Sequence, residues 1–220
     1  MKRHLIGLLA ALGALGGCGS SAISTDGSQV IRDTLKGVTA GKAAPNVVTT
    51  DQLSAELSAS SAPLMLVITD ATQNQALLRE IARNGRDGTF ATAQREALIV
   101  RDGIIVASRG LGGDMMSSVQ GGLERLVRSQ SNGASDVTLV FLDGADQPDR
   151  RSYSCTVSVG GQTPVVAGAV NATARIVTTT CTGPDSYSNT YLVASDGYVL
   201  GSRQWVGPTI GYLSTQALRR

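Results

Sequence analysis

From Val137 to the end of the chain the apolar residues come in short runs, each closed by a turn signal. Val137 to Leu142 is apolar and β-branched, Tyr153 to Val159 alternates, and Gly160-Gly161 reads as a turn. Val165 to Ala169, Ala174 to Thr180 and Tyr191 to Ala194 follow, and Asp196-Gly197 marks a tight hairpin into Tyr198 to Gln204. Pieces this short and this regularly spaced cannot build long helices; they suit antiparallel strands joined by hairpins. The expected fold is therefore mainly β: curved antiparallel meander sheets forming a sandwich or half-barrel, with two or three short helices.

The first half of the chain is less uniform. Asp26 to Lys36 has a capping residue, then Val30, Ile31 and Leu35 near helical spacing, with Gly37 as a stop. Gly41 to Asn46 is a loop, after which Thr50 or Asp51 can cap a second helix bearing Leu53 and Leu57 one turn apart. Leu64 to Thr69 is a continuous apolar run of strand length. Asn74 to Arg83 is ambiguous, because Leu77, Leu78 and Ile81 fit a helix while the run ends on the turn signal Asn84-Gly85. Thr89 to Ala93, Glu96 to Arg101 and Ile104 to Ser108 read as strands, with Asp102-Gly103 as a two-residue hairpin turn between the last two. The glycine-rich stretch Arg109 to Asp114 lacks a Walker lysine and the dinucleotide spacing, so it is a chain reversal rather than a phosphate cradle. Val119, Leu123, Leu126 and Val127 suggest a weak helix, undermined by Gly121-Gly122.

The N-terminus says where the protein goes. Met1-Lys2-Arg3-His4 is a basic head, Leu5 to Leu15 is an apolar run of eleven residues, and small residues lead to Cys18. Eleven residues are too few to span a bilayer as a helix. Leu15-Gly16-Gly17-Cys18 looks like a bacterial lipobox, in which the Cys18 thiol is linked to diacylglycerol. The boundaries expected are a signal peptide over 1–17, a lipidated tether over 18–25 and a β-rich domain over 26–220. Gly19, rather than Asp, after the cysteine favours sorting to the outer membrane, with the body facing the periplasm.

Composition then removes whole classes of function. Removing residues 1–17 takes away Lys2 and Arg3 and leaves 17 basic against 17 acidic residues. A neutral chain has no basic footprint for nucleic acid, and membrane attachment falls to the lipid. His4, the single histidine, leaves with the signal. No histidine-based triad and no imidazole-ligated zinc site can then exist, so no metal or cofactor is expected. Of three cysteines, Cys18 is claimed by lipid, which leaves Cys155 and Cys181 as a disulfide in an oxidising compartment; the alternative is two buried free thiols. Such a bridge would tie one strand to another two connections away.

Six of the eight aromatic residues, Tyr153, Tyr187, Tyr191, Tyr198, Trp205 and Tyr212, lie after residue 150. Amphipathic rings either stack on sugar faces or fill the seams of a β domain. For glycan hydrolysis without histidine, paired carboxylates are needed. Asp143 and Asp146 are available, although Asp143-Gly144-Ala145-Asp146 reads more simply as a turn.

Two stretches carry a family resemblance. Ala107-Ser108-Arg109-Gly110-Leu111-Gly112-Gly113-Asp114 and Gly197-Tyr198-Val199-Leu200-Gly201-Ser202-Arg203-Gln204-Trp205-Val206-Gly207-Pro208 resemble the two signatures of the YjbF lipoproteins, the group 4 capsule and exopolysaccharide lipoprotein family. Asn189-Thr190-Tyr191 and Cys181 fit the same pattern, whereas Thr179 and Leu192 depart from it. The resemblance runs over roughly residues 25–218. It implies an outer-membrane lipoprotein that serves surface polysaccharide production or export, and it establishes no catalytic residue. The partners expected are polysaccharide export proteins, which the resemblance implies, or, on a separate reading, an outer-membrane β-barrel, with the polysaccharide itself a further candidate. Arg109, Asp114, Arg203, Gln204 and Trp205 are the candidates for a glycan or partner surface, because guanidinium, amide and indole groups suit a hydroxyl-rich or acidic sugar. The competing arrangement has Arg203 and Asp114 paired inside the protein and Trp205 in the core. Against the non-enzymatic accessory role stand a carboxylate-dependent periplasmic glycan hydrolase and a structural module bound to an outer-membrane β-barrel.

Overall fold

The computed structural model describes residues 44–220. Cys18, the signal and tether segments and the helix expected over Asp26 to Lys36 lie outside the described residues. The chain enters as a short extended segment, in which Asn46 is bonded to Asn74 and Gln75. Helix α1 (Thr50–Ala59) follows. Its cap is Thr49, one residue earlier than expected: Thr49 accepts from the Gln52 amide at 3.2 Å while the Gln52 side chain accepts from the Thr49 amide at 2.9 Å.

Five strands come next: β1 (Leu64–Thr69), β2 (Gln75–Asn84), β3 (Asp87–Ala91), β4 (Ala97–Arg101) and β5 (Ile104–Arg109). After the glycine-rich loop come β6 (Ser117–Val119) and helix α2 (Leu123–Arg128), which starts directly behind Gly121-Gly122. The remainder is β7 (Gly133–Leu142), β8 (Pro148–Ala167), β9 (Val170–Thr182), β10 (Tyr187–Ala194), β11 (Val199–Trp205) and β12 (Tyr212–Arg219). All twelve strands form one sheet in the order β5-β4-β3-β2-β1-β12-β11-β10-β9-β8-β7-β6, with every neighbouring pair antiparallel. Since β1 pairs with β12, the meander curls round until its two edges, β5 and β6, approach each other. The Ser108 amide donates to the Met115 carbonyl at 2.8 Å across that seam. The result is a nearly closed antiparallel barrel.

Twelve strands would enclose a lumen wider than side chains alone can fill. The edge strand β5 resolves this by packing inward, with its first five residues buried. The Asp102-Gly103 hairpin reaches β11, where the Val199 amide donates to the Asp102 carbonyl at 2.9 Å. Both turn residues have positive φ, 47° and 89°, as a type I′ turn demands. A Cβ on Gly103 would sit 2.2 Å from the Val199 carbonyl oxygen, so contact with β11 forbids any side chain there. An inward edge strand is also protected from pairing with other chains.

The ambiguous run Asn74 to Arg83 is strand β2. Its helix-like pattern has a tertiary cause: Leu78 faces the main core, while Leu77 packs on the other side with Leu53 and Leu57 of α1. A strand covered on both faces loses simple alternation.

Two expectations require correction. Gly160-Gly161 is no turn; β8 runs through it, and the register against β9 shifts between Val159 and Gln162. A bulge bends a strand without ending it. Beyond the bulge, the β8–β9 hairpin packs in a second apolar cluster, where Val165, Val170 and Ala174 meet Leu192, Leu200 and Ala217. Its tip is pinned to β12 by the Ala169 amide, which donates to the Leu218 carbonyl at 2.7 Å. The disulfide expected between Cys155 and Cys181 is formed, but not between strands two connections apart. With no turn at Gly160-Gly161, β8 and β9 are direct neighbours and the two cysteines face each other in register, Cα to Cα 4.0 Å. Both are buried in the main core.

Candidate functional site

One end of the barrel collects the glycine-rich stretch Arg109 to Asp114 and the end of the second stretch, Trp205 to Pro208. The loop after β5 and the loop after β11 meet there: a Cβ on Gly113 would lie 2.5 Å from the Thr209 Cβ. Gly207, at φ +135°, lies equally close against the Phe141 ring. These glycines let two loops and a ring share a space that side chains would fill.

The five candidate residues separate into distinct roles at this end. Asp114 ties up its own loop, accepting from the Ser108 hydroxyl at 2.9 Å and from the amides of Gly110 and Leu111 at 2.7 and 3.1 Å. Arg109 donates to the carbonyls of Ser108, Met115 and Met116, which fastens the end of β5 to the chain across the seam. Arg203 does not pair with Asp114. Its guanidinium bonds Asp70 at 2.7 Å, lies 3.5 Å from the centre of the Tyr212 ring, and shares Asp70 with the Ser214 hydroxyl.

Gln204 is not part of a surface, contrary to expectation; it is 3 % exposed and lies inside the barrel. Its side-chain carbonyl accepts from the Ile105 amide at 3.1 Å, and its amide donates to Ser202 and to the Gly103 carbonyl. An edge strand turned into a core would otherwise bury an unpaired N–H, at a cost of about 1–3 kcal/mol. Gln204 supplies the missing acceptor from the opposite wall.

Trp205 is the last residue of β11, beyond the β10 pairing that ends at Thr190 opposite Arg203. Its ring stacks on Tyr187, centroids 4.7 Å apart and planes 14° apart. Phe141 and Tyr153 meet it edge-on at 6.3 and 6.0 Å. At the rim, Arg151 and the Tyr153 hydroxyl both bond Asp185, at 3.0 and 3.1 Å, and Arg151 also bonds Asp149. The concentration of aromatic residues after residue 150 is visible in the sequence, but Phe141 and the arrangement around Trp205 are not. Strand register brings them together across four strands.

Behind Trp205 lies a cavity with about 280 Å³ of free space, its open mouth included. Its lining residues are buried except Ser118, Gln120 and Trp205, which mark the mouth. The enclosed part has room for about one water. No Asp, Glu, Arg or Lys lines it. Burial pushes the nearby phenols up: Tyr153, also held by Asp185, to about 12, Tyr191 to about 12, and Tyr187 further still. At neutral pH these are hydrogen-bonding groups, not acids or bases. Asp143 is committed elsewhere, accepting from the amides of Ala145 and Gln147 and closing the β7–β8 turn, with Asp146 at positive φ. Among the described residues no cluster of three potential metal ligands occurs, and no helix is long and apolar enough to cross a membrane.

The model of one protein family, group 4 capsule polysaccharide lipoprotein gfcB, YjbF, matches residues 32–218. The chain belongs to the YjbF family. That match takes in β1 to β11, β12 as far as Leu218, and both loops of the aromatic end. No curated protein matches the chain. Among solved structures, the hypothetical lipoprotein YmcC from Escherichia coli K12 is similar, with a TM-score of 0.65 at 14 % identity. The similarity covers 75 % of this chain and 87 % of that one, and at such identity it speaks for the YjbF fold alone.

Proposed function

We propose that this chain is a lipid-anchored, non-enzymatic accessory factor in the production or export of surface polysaccharide. Cys18 holds it to the outer membrane, with the barrel on the periplasmic side. The observation that carries this reading is the match to a capsule polysaccharide lipoprotein family over residues 32–218. The leader, with its basic head, short apolar run and Leu15-Gly16-Gly17-Cys18, agrees with it. So does the chemistry of the cavity, which has no carboxylate in its wall and phenols far from their titration range. Glycoside hydrolysis requires two carboxylates flanking the scissile bond, and Asp143 is engaged with backbone amides in its turn. The partners in this reading are polysaccharide export proteins or an outer-membrane β-barrel, contacted at the end that carries Trp205.

The test is made in the producing strain. A strain lacking the chain should lose most of its surface polysaccharide and regain it with the wild-type chain. Cys18→Ser should neither take up labelled palmitate nor restore the polysaccharide. Unchanged polysaccharide in the strain lacking the chain would overturn the role. Crosslinking in membranes, with the wild type against Trp205→Phe, identifies the partner.

A further inference from the structure

The wall of the cavity behind Trp205 is polar without being charged: Ser118, Gln120, Tyr187, Asn189, Tyr191 and Gln204 all contribute. Several of these groups are committed to the fold. Asn189 accepts from the Trp205 amide at 2.8 Å and donates to the Tyr191 hydroxyl at 3.1 Å, and Gln204 serves Ile105. Tyr187 is different. The residue as a whole is 6 % exposed, and its hydroxyl takes no partner among the described residues, yet it is not one of the buried unpaired oxygens, so water reaches it at the cavity. A ligand hydroxyl can replace that water without breaking a bond of the fold. At the mouth, Gln120 gives its side-chain amide to the Ser118 hydroxyl and keeps its carbonyl oxygen available.

We infer that this cavity is a subsite for one uncharged sugar residue of a polysaccharide chain, an inference that rests on the accessory role proposed above. The enclosed space admits a single water-sized group, so one hydroxyl enters while the sugar ring stays at the mouth. The inserted hydroxyl pairs with Tyr187, a neighbouring one donates to the Gln120 carbonyl, and ring C–H groups lie against Trp205. A uronic acid is disfavoured, because the wall offers its carboxylate no cation and burying an unpaired charge is costly. The sugar need not be a chain end, since only a substituent of the ring enters.

Trp205 is the sole tryptophan of the chain, so its fluorescence reads the site directly. The lipidated protein in detergent is titrated with methyl glucopyranoside, methyl galactopyranoside, methyl mannopyranoside, N-acetylglucosamine, glucuronic acid and polysaccharide extracted from the producing strain. The expected result is a saturable change with at least one neutral sugar and with the polysaccharide, and none with glucuronic acid. Tyr187→Phe removes one oxygen and keeps the ring stack. It should weaken binding about three- to tenfold, as loss of one neutral hydrogen bond does, without lowering the melting temperature. No saturable change with any neutral sugar or the polysaccharide, preference for glucuronic acid, or full affinity in Tyr187→Phe would each overturn the subsite. If the strain lacking the chain loses its polysaccharide while no sugar binds, the subsite falls and the accessory role stands. If sugar binds and polysaccharide is normal without the chain, the accessory role falls instead.

Discussion

The two ends of the barrel are held by different physics. At one end Trp205, Tyr187, Tyr153 and Phe141 pack ring against ring beside the Cys155–Cys181 bridge. At the other, charges interlock around the opposite set of turns. Arg86, between β2 and β3, bonds Asp102 and Glu124; Arg101 bonds Asp87 at 2.6 Å; Arg128 lies 3.4 Å from Asp102 and donates to the Gly197 carbonyl. Aromatic pairs add about 0.5–1.5 kcal/mol each beyond the area they bury, whereas exposed ion pairs are worth about 0–1 kcal/mol. The charged end therefore orients three turns and α2 at little net gain. The aromatic end supplies stability and also surrounds the neutral cavity. Stability and the proposed recognition share residues there, so variants must be chosen to separate the two.

The largest effect is expected from the bridge. Replacing Cys155 and Cys181 together by alanine should cost about 3–4 kcal/mol, the value for closing a loop of this length; a loss under 1 kcal/mol in urea would show that the aromatic end holds without it. Next comes Trp205→Ala. Emptying the space between Tyr187, Tyr153 and Phe141 should cost about 2–3 kcal/mol, less than a fully buried tryptophan because the ring sits at a rim. A melting temperature equal to wild type would instead make Trp205 a pure surface contact.

Alkaline pH tests the buried phenols without mutation; Tyr198, raised by burial beside the charged end, adds to the same loss. Tyr153, Tyr187 and Tyr191 have pKa values raised in the folded state, so the protonated form is favoured by folding. Their contribution is complete below the ordinary tyrosine value of about 10 and is lost as pH rises through the folded value of about 12. Urea midpoints should stay level from pH 7 to about 9.5 and then fall; a midpoint that stayed level through pH 12 would contradict the burial of these phenols. Smallest is Arg86→Ala at the charged end, expected to cost about 0.5 kcal/mol and less in high salt. A loss above 2 kcal/mol would mean the two ends are more alike than their chemistry suggests.

Much of the fold is legible in the order of the residues. The hairpin at Asp102-Gly103 needs only a pair of residues tolerant of positive φ between two apolar runs, and Asp196-Gly197 is equally plain. The cysteine pairing follows from counting. What local patterns miss is long-range in origin. Gly160-Gly161 carries the same local signal as a true turn, and only the partner strand β9 decides between reversing the chain and bending it. The cap of α1 is the exception, a local signal: Thr49 rather than Thr50 serves because Gln52, three residues on, completes the reciprocal bonds. Among the candidate residues, Arg203 finds Asp70, 133 positions away, and Gln204 finds Ile105 across 99. No window of sequence contains both members of such a pair.

Taken alone, the chain of amino acids determined an antiparallel meander, its tight hairpins, the lack of any histidine beyond His4 and the membership of Arg109 to Asp114 and Ser202 to Pro208 in one family pattern. Those properties depend on residue type and short spacing, which are local. Tertiary structure alone decided that the first and last strands pair, that β5 turns inward under Gln204, and that four aromatic rings meet over a neutral cavity. Each of these depends on how far the sheet curls until its edges approach, a sum over twelve strands that no single one of them encodes.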